Sequence, residues 1–148
     1  MSNKKTSPKI SKKGFPAWIW LLVAAAAVGL VFLWIRQNNS NSVKLPREVS
    51  VEQAAALRQE GAFILDVREP SEWAQGHING ATLIPLGQLL QRSGELPTDQ
   101  TIVVVCRSGN RSAQGRDILE TAGFKTVTSM DGGMNDWQAQ GYPVVTDP

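Results

Sequence analysis

A single cysteine, Cys106, and a single histidine, His77, stand in 148 residues. One cysteine cannot close an internal disulfide, so the thiol is either free for chemistry or pairs with another chain. One cysteine and one histidine do not make a metal site, and no spacing of these residues suggests a metal. Acidic side chains are missing from residues 1–36, which hold six of the fifteen Lys and Arg. Residues 37–148 carry the other nine together with all thirteen acidic residues, a net of −4. The nominal +2 therefore divides into a basic amino-terminal piece and a mildly acidic remainder, which gives no support to nucleic-acid binding.

Charge is also absent from Ala17 to Ile35, AWIWLLVAAAAVGLVFLWI. At 1.5 Å per residue this run reaches roughly 28 Å, close to the ~30 Å hydrocarbon layer of a bilayer. Trp18, Trp20 and Trp34 lie near its ends, where interfacial aromatics anchor a span, and no polar face suits it to a buried helix. A cleaved signal peptide would have a shorter apolar core ending in small residues, whereas this run closes with Phe32-Leu33-Trp34-Ile35. The expectation is an uncleaved signal anchor over 17–35, preceded by a basic, disordered tail over 1–16. Lys4, Lys5, Lys9, Lys12 and Lys13 precede the span and only Arg36 follows closely, which keeps the amino terminus cytoplasmic. The protein would then sit in the cell membrane as a single-pass chain. Residues 36–45, including QNNSNS, read as a short tether, and 46–148 as an extracytoplasmic domain.

Within that domain Ser50 and Gln53 form a capping-box pattern ahead of a helix closed by Gly61. Ala62–Leu65 reads as a short strand ending at Asp66, Pro70–Gln75 as a helical turn, and Ala81–Ile84 as a strand stopped by Pro85. Leu86–Gln91 reads as a helix, with Gly94 and Pro97 marking loop. Thr126–Ser129 is a further strand, Asp131-Gly132-Gly133 a turn, and Met134–Gln140 a last helix docked by Trp137. Strand and helix alternate, which predicts a small, mostly parallel α/β sheet flanked by helices.

Its centre is Thr101–Phe124. Ile102, Val103, Val104 and Val105 form the continuous β-branched run of a strand buried on both faces, and Cys106 follows at once. Then come the polar residues Arg107-Ser108-Gly109-Asn110-Arg111 and a helix with Gly115, Ile118, Leu119 and Ala122 at helical spacing, ended by Gly123. A cysteine so placed lies at the carboxyl edge of a sheet and faces a helix amino terminus, where N–H groups and the dipole favour an anion. The pattern predicts a thiolate that holds or attacks an anionic substrate. Arg107, Arg111 and the loop N–H groups favour the charged form of that sulfur, and Gly109 lets the backbone curl inward.

LDVREPSEWAQGHINGATLIPL, VVVCRSGNRS and GFKTVTSMDGGMNDWQAQGYPV together resemble the rhodanese-like domains, over about Val49 to Val145. The resemblance implies an α/β sheet with helices on both faces and a sulfurtransferase. Cys106 would be catalytic, taking a sulfane sulfur from a small anionic donor (thiosulfate or a persulfide) and passing it to a thiophilic acceptor (cyanide, a thiol or a protein). Arg107, Ser108, Gly109, Asn110, Arg111 and Ser112 would form the substrate loop, and no cofactor or metal is implied. Cysteine phosphatases of similar architecture have their arginine six residues after the cysteine. Arg111 is the fifth, so the ring suits sulfur and is too tight for phosphate. The alternatives are a phosphatase or arsenate reductase and, from another class, a non-enzymatic sulfur- or redox-sensing or docking module at the membrane.

Other residues have plainer readings. Asp66 and Arg68 resemble the family's Asp-x-Arg, with Asp66 tying down neighbouring backbone N–H groups. Arg68 either lines the pocket mouth and binds substrate or makes a surface ion pair with Glu69 or Glu72. His77 is expected as a hydrogen-bonded strut rather than a base, and Trp73 and Trp137 as core aromatics.

Overall fold

The computed structural model describes residues 45–146 and, before them, Gly29 alone. The expected tail, membrane span and most of the tether lie outside the described residues. Among the described residues no helix is long and apolar enough to cross a membrane.

Five strands form one sheet in the order β1-β5-β4-β2-β3, every pairing parallel. They are β1 (Glu48–Val49), β2 (Phe63–Asp66), β3 (Thr82–Leu83), β4 (Ile102–Val105) and β5 (Val127–Met130). Sequence pattern predicts four of them. The fifth, β1, is two residues long, too short to show a period, and it is recruited to the edge by pairing Val49 with Met130.

Helix α1 (Val51–Gln59) starts as its sequence predicts: Ser50 Oγ accepts from the Gln53 N–H, and Gln53 Oε1 accepts from the Ser50 N–H. Helix α2 is the single turn Pro70–Trp73. The predicted Leu86–Gln91 helix differs. A 3-10 turn at Leu86–Gln88 leads into α3 (Leu89–Arg92), and a second 3-10 turn at Ser93–Glu95 absorbs Gly94. Helix α4 covers Asn110–Thr121 and α5 covers Gly133–Ala139.

The central strand divides its side chains between two cores by period-two alternation. Val103 and Val105 join Ile64, Ala54, Met130, Met134 and Trp137 on the α1 and α5 face. Ile102, Val104 and Cys106 join Leu65, Leu89 and Leu119 on the α3 and α4 face. The alternation thus continues through Cys106 and turns its side chain toward α4. Gly115 permits that approach: a Cβ there would lie 3.0 Å from Val104 Cγ1. Trp137 is buried, stacks on Tyr142 and donates its Nε1–H to Pro143 O, so it is the core aromatic expected.

Candidate active site around Cys106

Parallel registry brings the ends of β2 and β4 level, with Asp66 beside Val105. Cys106, one residue further, therefore emerges at the carboxyl edge beside the Asp66–Arg68 turn. Helix α4 begins four residues later, and its amino end closes over the cysteine. Gly109, at φ 98°, caps that helix, and its N–H donates to Cys106 Sγ at 3.2 Å. A residue with a side chain is strained at that φ, so the aim of this N–H depends on glycine. Ser112 Oγ is 3.6 Å from the sulfur and donates to Gly109 O at 2.6 Å, which ties the first turn of α4 to the loop. Cys106 is 1% exposed, recessed behind these groups.

The floor of the loop is α5. Met134 N–H donates to Cys106 O at 2.8 Å and Asn135 N–H donates to Arg107 O at 3.0 Å. Gly133, at φ 59°, allows this contact, because a Cβ would lie 2.5 Å from Cys106 O and 2.6 Å from the Arg107 carbonyl carbon. The Asp-Gly-Gly turn is thus the buttress of the cysteine loop, a role that its sequence signals only as a turn.

The six loop residues are brought together unequally. Gly109 and Ser112 contact the sulfur, while Arg107, Ser108 and Asn110 are exposed. Arg111 is half-buried, and both of its terminal nitrogens donate to Glu72 at 2.7 Å. That ion pair holds the Glu72 carboxyl well below its ordinary 4.5, at about 2, chiefly through the Arg111 hydrogen bonds and against the opposing effect of burial. It also keeps the Arg111 guanidinium above its usual value. Glu72 further accepts the Glu69 N–H at 3.2 Å. Sequence reasoning does not single out Glu72 as a site residue, because its partner is 39 positions away. Its only local signal is its place in the first turn of α2, where a carboxylate suits the helix end.

Arg68 departs from the surface ion pair expected with Glu69 or Glu72. Its guanidinium is buried, bonded to Asp66 at 2.6 to 2.9 Å and donating to Gly76 O and Glu72 O. It does border the cavity, but its charge is matched by Asp66. Asp66 also accepts the Arg68 N–H at 3.0 Å, so it ties down the backbone as expected. His77 is placed as a strut: its backbone N–H and C=O bond Val145 in an antiparallel bridge, and Nδ1 lies 3.3 Å from Trp73 O. Trp73 is the correction here. It is only half-buried and stacks on His77 with ring centroids 3.5 Å apart, because the single-turn α2 sits at the sheet edge and not over the core.

A cavity of about 250 Å³ opens between α2, the cysteine loop and α5. Arg68, Glu72 and Gln75 line one side, and Arg107, Asn135 and Gln138 the other. Among the described residues no three His, Cys, Asp or Glu side chains gather as a metal site would require.

Comparison with known proteins agrees with this geometry. The rhodanese-like domain family matches residues 50–140. Thiosulfate sulfurtransferase GlpE of Pseudomonas entomophila is 39% identical over 97 residues, spanning 66% of this chain and 88% of the relative. A sulfurtransferase of Allochromatium vinosum is 37% identical over 86 residues, spanning 58% and 80%. The crystal structure of a rhodanese-related protein from Thermoplasma volcanium superposes with a TM-score of 0.64 at 32% identity, covering 68% of this chain and 99% of that one. With its parallel sheet, its cysteine at the carboxyl edge of the central strand and these relatives, the chain belongs to the rhodanese-like domain family.

Proposed function

We propose that the protein is a sulfurtransferase that moves a sulfane sulfur from a small anionic donor such as thiosulfate to a thiophilic acceptor through a persulfide on Cys106. The observation that carries this reading is the Gly109 N–H aimed at Cys106 Sγ from the start of a helix, 3.2 Å away. An N–H so aimed, with a helix dipole behind it, stabilises negative charge on sulfur.

In the first half-reaction the Cys106 thiolate attacks the outer sulfur of thiosulfate. The donor S–S bond breaks, sulfite leaves with the electron pair, and Cys106-S-S⁻ forms. In the second, a nucleophilic acceptor attacks the outer sulfur, and the pair of the breaking S–S bond returns to Cys106. Sulfur is passed on with no net oxidant or reductant. Arg107 and the amino end of α4 supply positive potential, Ser112 orders the loop, and Asp66, Arg68 and His77 hold the scaffold around it. The fifth-position arginine favours sulfur over phosphate, since the ring lacks the residue that phosphatases add. Incubating the purified chain with thiosulfate and cyanide should release thiocyanate. No thiocyanate, together with hydrolysis of an aryl phosphate, would reverse the reading in favour of a phosphatase.

Location is part of the same proposal. The uncharged run at 17–35 and the five lysines before it support a membrane anchor with the sulfurtransferase domain outside the cytoplasm. Protease added to spheroplasts should then digest the domain; protection of the domain would contradict it.

A further inference from the structure

The reaction needs an acceptor, and the surroundings of Cys106 bear on which chemical class it belongs to. Three arginines stand at or beside the cavity, but their charges are not equally available. Arg68 is buried against Asp66, and Arg111 is bound at both ends by Glu72. Arg107 is exposed, and among the described residues its guanidinium has no carboxylate partner. Anion recognition in the cavity thus falls to a single cation, enough for one carboxylate held bidentately.

Beside it lie two carboxamides, Asn135 and Gln138, both exposed on α5 and lining the cavity. Their helix is fastened to the loop by Met134 N–H to Cys106 O and Asn135 N–H to Arg107 O, so they keep a fixed relation to the cysteine. Each carboxamide offers both donors and an acceptor, the complement of a peptide group. Cyanide has two atoms and thiosulfate five, so neither can use groups spread around about 250 Å³.

We propose that this cavity is the acceptor subsite and takes a small peptidic thiol that carries a carboxylate, the carboxylate meeting Arg107 and the amide groups meeting Asn135 and Gln138. This rests on the sulfurtransferase reading above. The acceptor thiol gives up its proton to solvent, its thiolate attacks the outer persulfide sulfur, and the pair of the breaking bond returns to Cys106 Sγ. The product is the acceptor persulfide.

The test uses the full-length chain, thiosulfate as donor and sulfite release as the readout. Glutathione is compared with its diethyl ester, in which both carboxylates are blocked, and with 2-mercaptoethanol. Glutathione should show a KM about tenfold below that of either control. Gln138→Ala should raise the glutathione KM about threefold or more while kcat stays within about twofold, since it removes binding without touching the reacting sulfur. Equal KM values for glutathione and its ester, or an unchanged glutathione KM in Gln138→Ala, would overturn the subsite. Mass spectrometry after thiosulfate alone separates the two layers. A chain that takes up no sulfur on Cys106 overturns the transferase reading and this one together. A chain that loads sulfur but does not discriminate among the thiols overturns this one alone.

Discussion

Glu72 and Arg111 face each other in a two-pronged ion pair, with each guanidinium nitrogen 2.7 Å from a carboxylate oxygen. The pair joins α2 to the first turn of α4 and so closes one side of the cysteine loop. It also means that the arginine of the C-x-x-x-x-R pattern is a wall of the site, its charge already met, while Arg107 keeps its charge for ligand.

That pair predicts a pH signature. The folded-state value of Glu72, about 2, lies below its ordinary 4.5, so its stabilisation is fully present above about 4.5 and is lost as pH falls toward 2. Glu72→Gln should cost about 1 kcal/mol at pH 6, the modest figure expected for a partly exposed charged pair. Urea unfolding at pH 6 and again near pH 3 should show the gap between wild type and variant shrinking in acid. A gap of equal size at both would mean that the carboxylate is not held by Arg111.

Cys106→Ser should abolish thiocyanate formation and leave the melting temperature within a few degrees of wild type. The smaller hydroxyl still fits the space and can accept the Gly109 N–H, but oxygen cannot carry the transferred sulfur. Mass spectrometry should find one added sulfur on the wild-type chain and none on the variant. Turnover by the serine variant at the wild-type rate is the result that would remove Cys106 from the mechanism.

Gly133→Ala should disturb the site from behind. Its Cβ would fall 2.7 Å or less from three backbone atoms of residues 106–108, at a φ of 59° that already disfavours a side chain. The expected loss is about 1–3 kcal/mol with a marked fall in sulfur transfer. Gly94→Ala is the control, since a Cβ there meets nothing within 4 Å and stability should hardly change. Thermal melts and thiocyanate assays on both variants decide the matter; equal behaviour would show that α5 does not buttress the loop.

Inserting one glycine between Ser108 and Gly109 tests loop size. The Gly109 N–H would no longer converge on Cys106 Sγ, and Arg111 would move to the sixth position. Thiosulfate activity should be lost, with weak hydrolysis of an aryl phosphate as the possible gain. Retention of wild-type thiosulfate turnover would show that ring size does not select the substrate.

Local patterns carry much of this molecule. The β-branched run of β4, the capping box at Ser50 and Gln53, and the glycine that ends α4 act within a few residues of themselves, so their physics is written in neighbouring letters. Cys106 is legible for the same reason: a cysteine after a buried strand and before a helix has its environment set by its immediate flanks. Other features depend on which distant segments the sheet brings together. Strand β1 exists because Val49 meets Met130, and Arg68 turns inward because parallel registry leaves Asp66 at the edge beside it. Trp73 lies flat on His77 because α2 is one turn long and has no core beneath it. The role of Glu72 is decided in the same way, because only the folded sheet sets α2 against the start of α4. Sequence alone therefore determined the nucleophile and its loop, through short-range backbone and side-chain preferences. Tertiary structure decided which of the charges around that loop are matched and which remain open to a ligand, because ion pairing depends on distance in space.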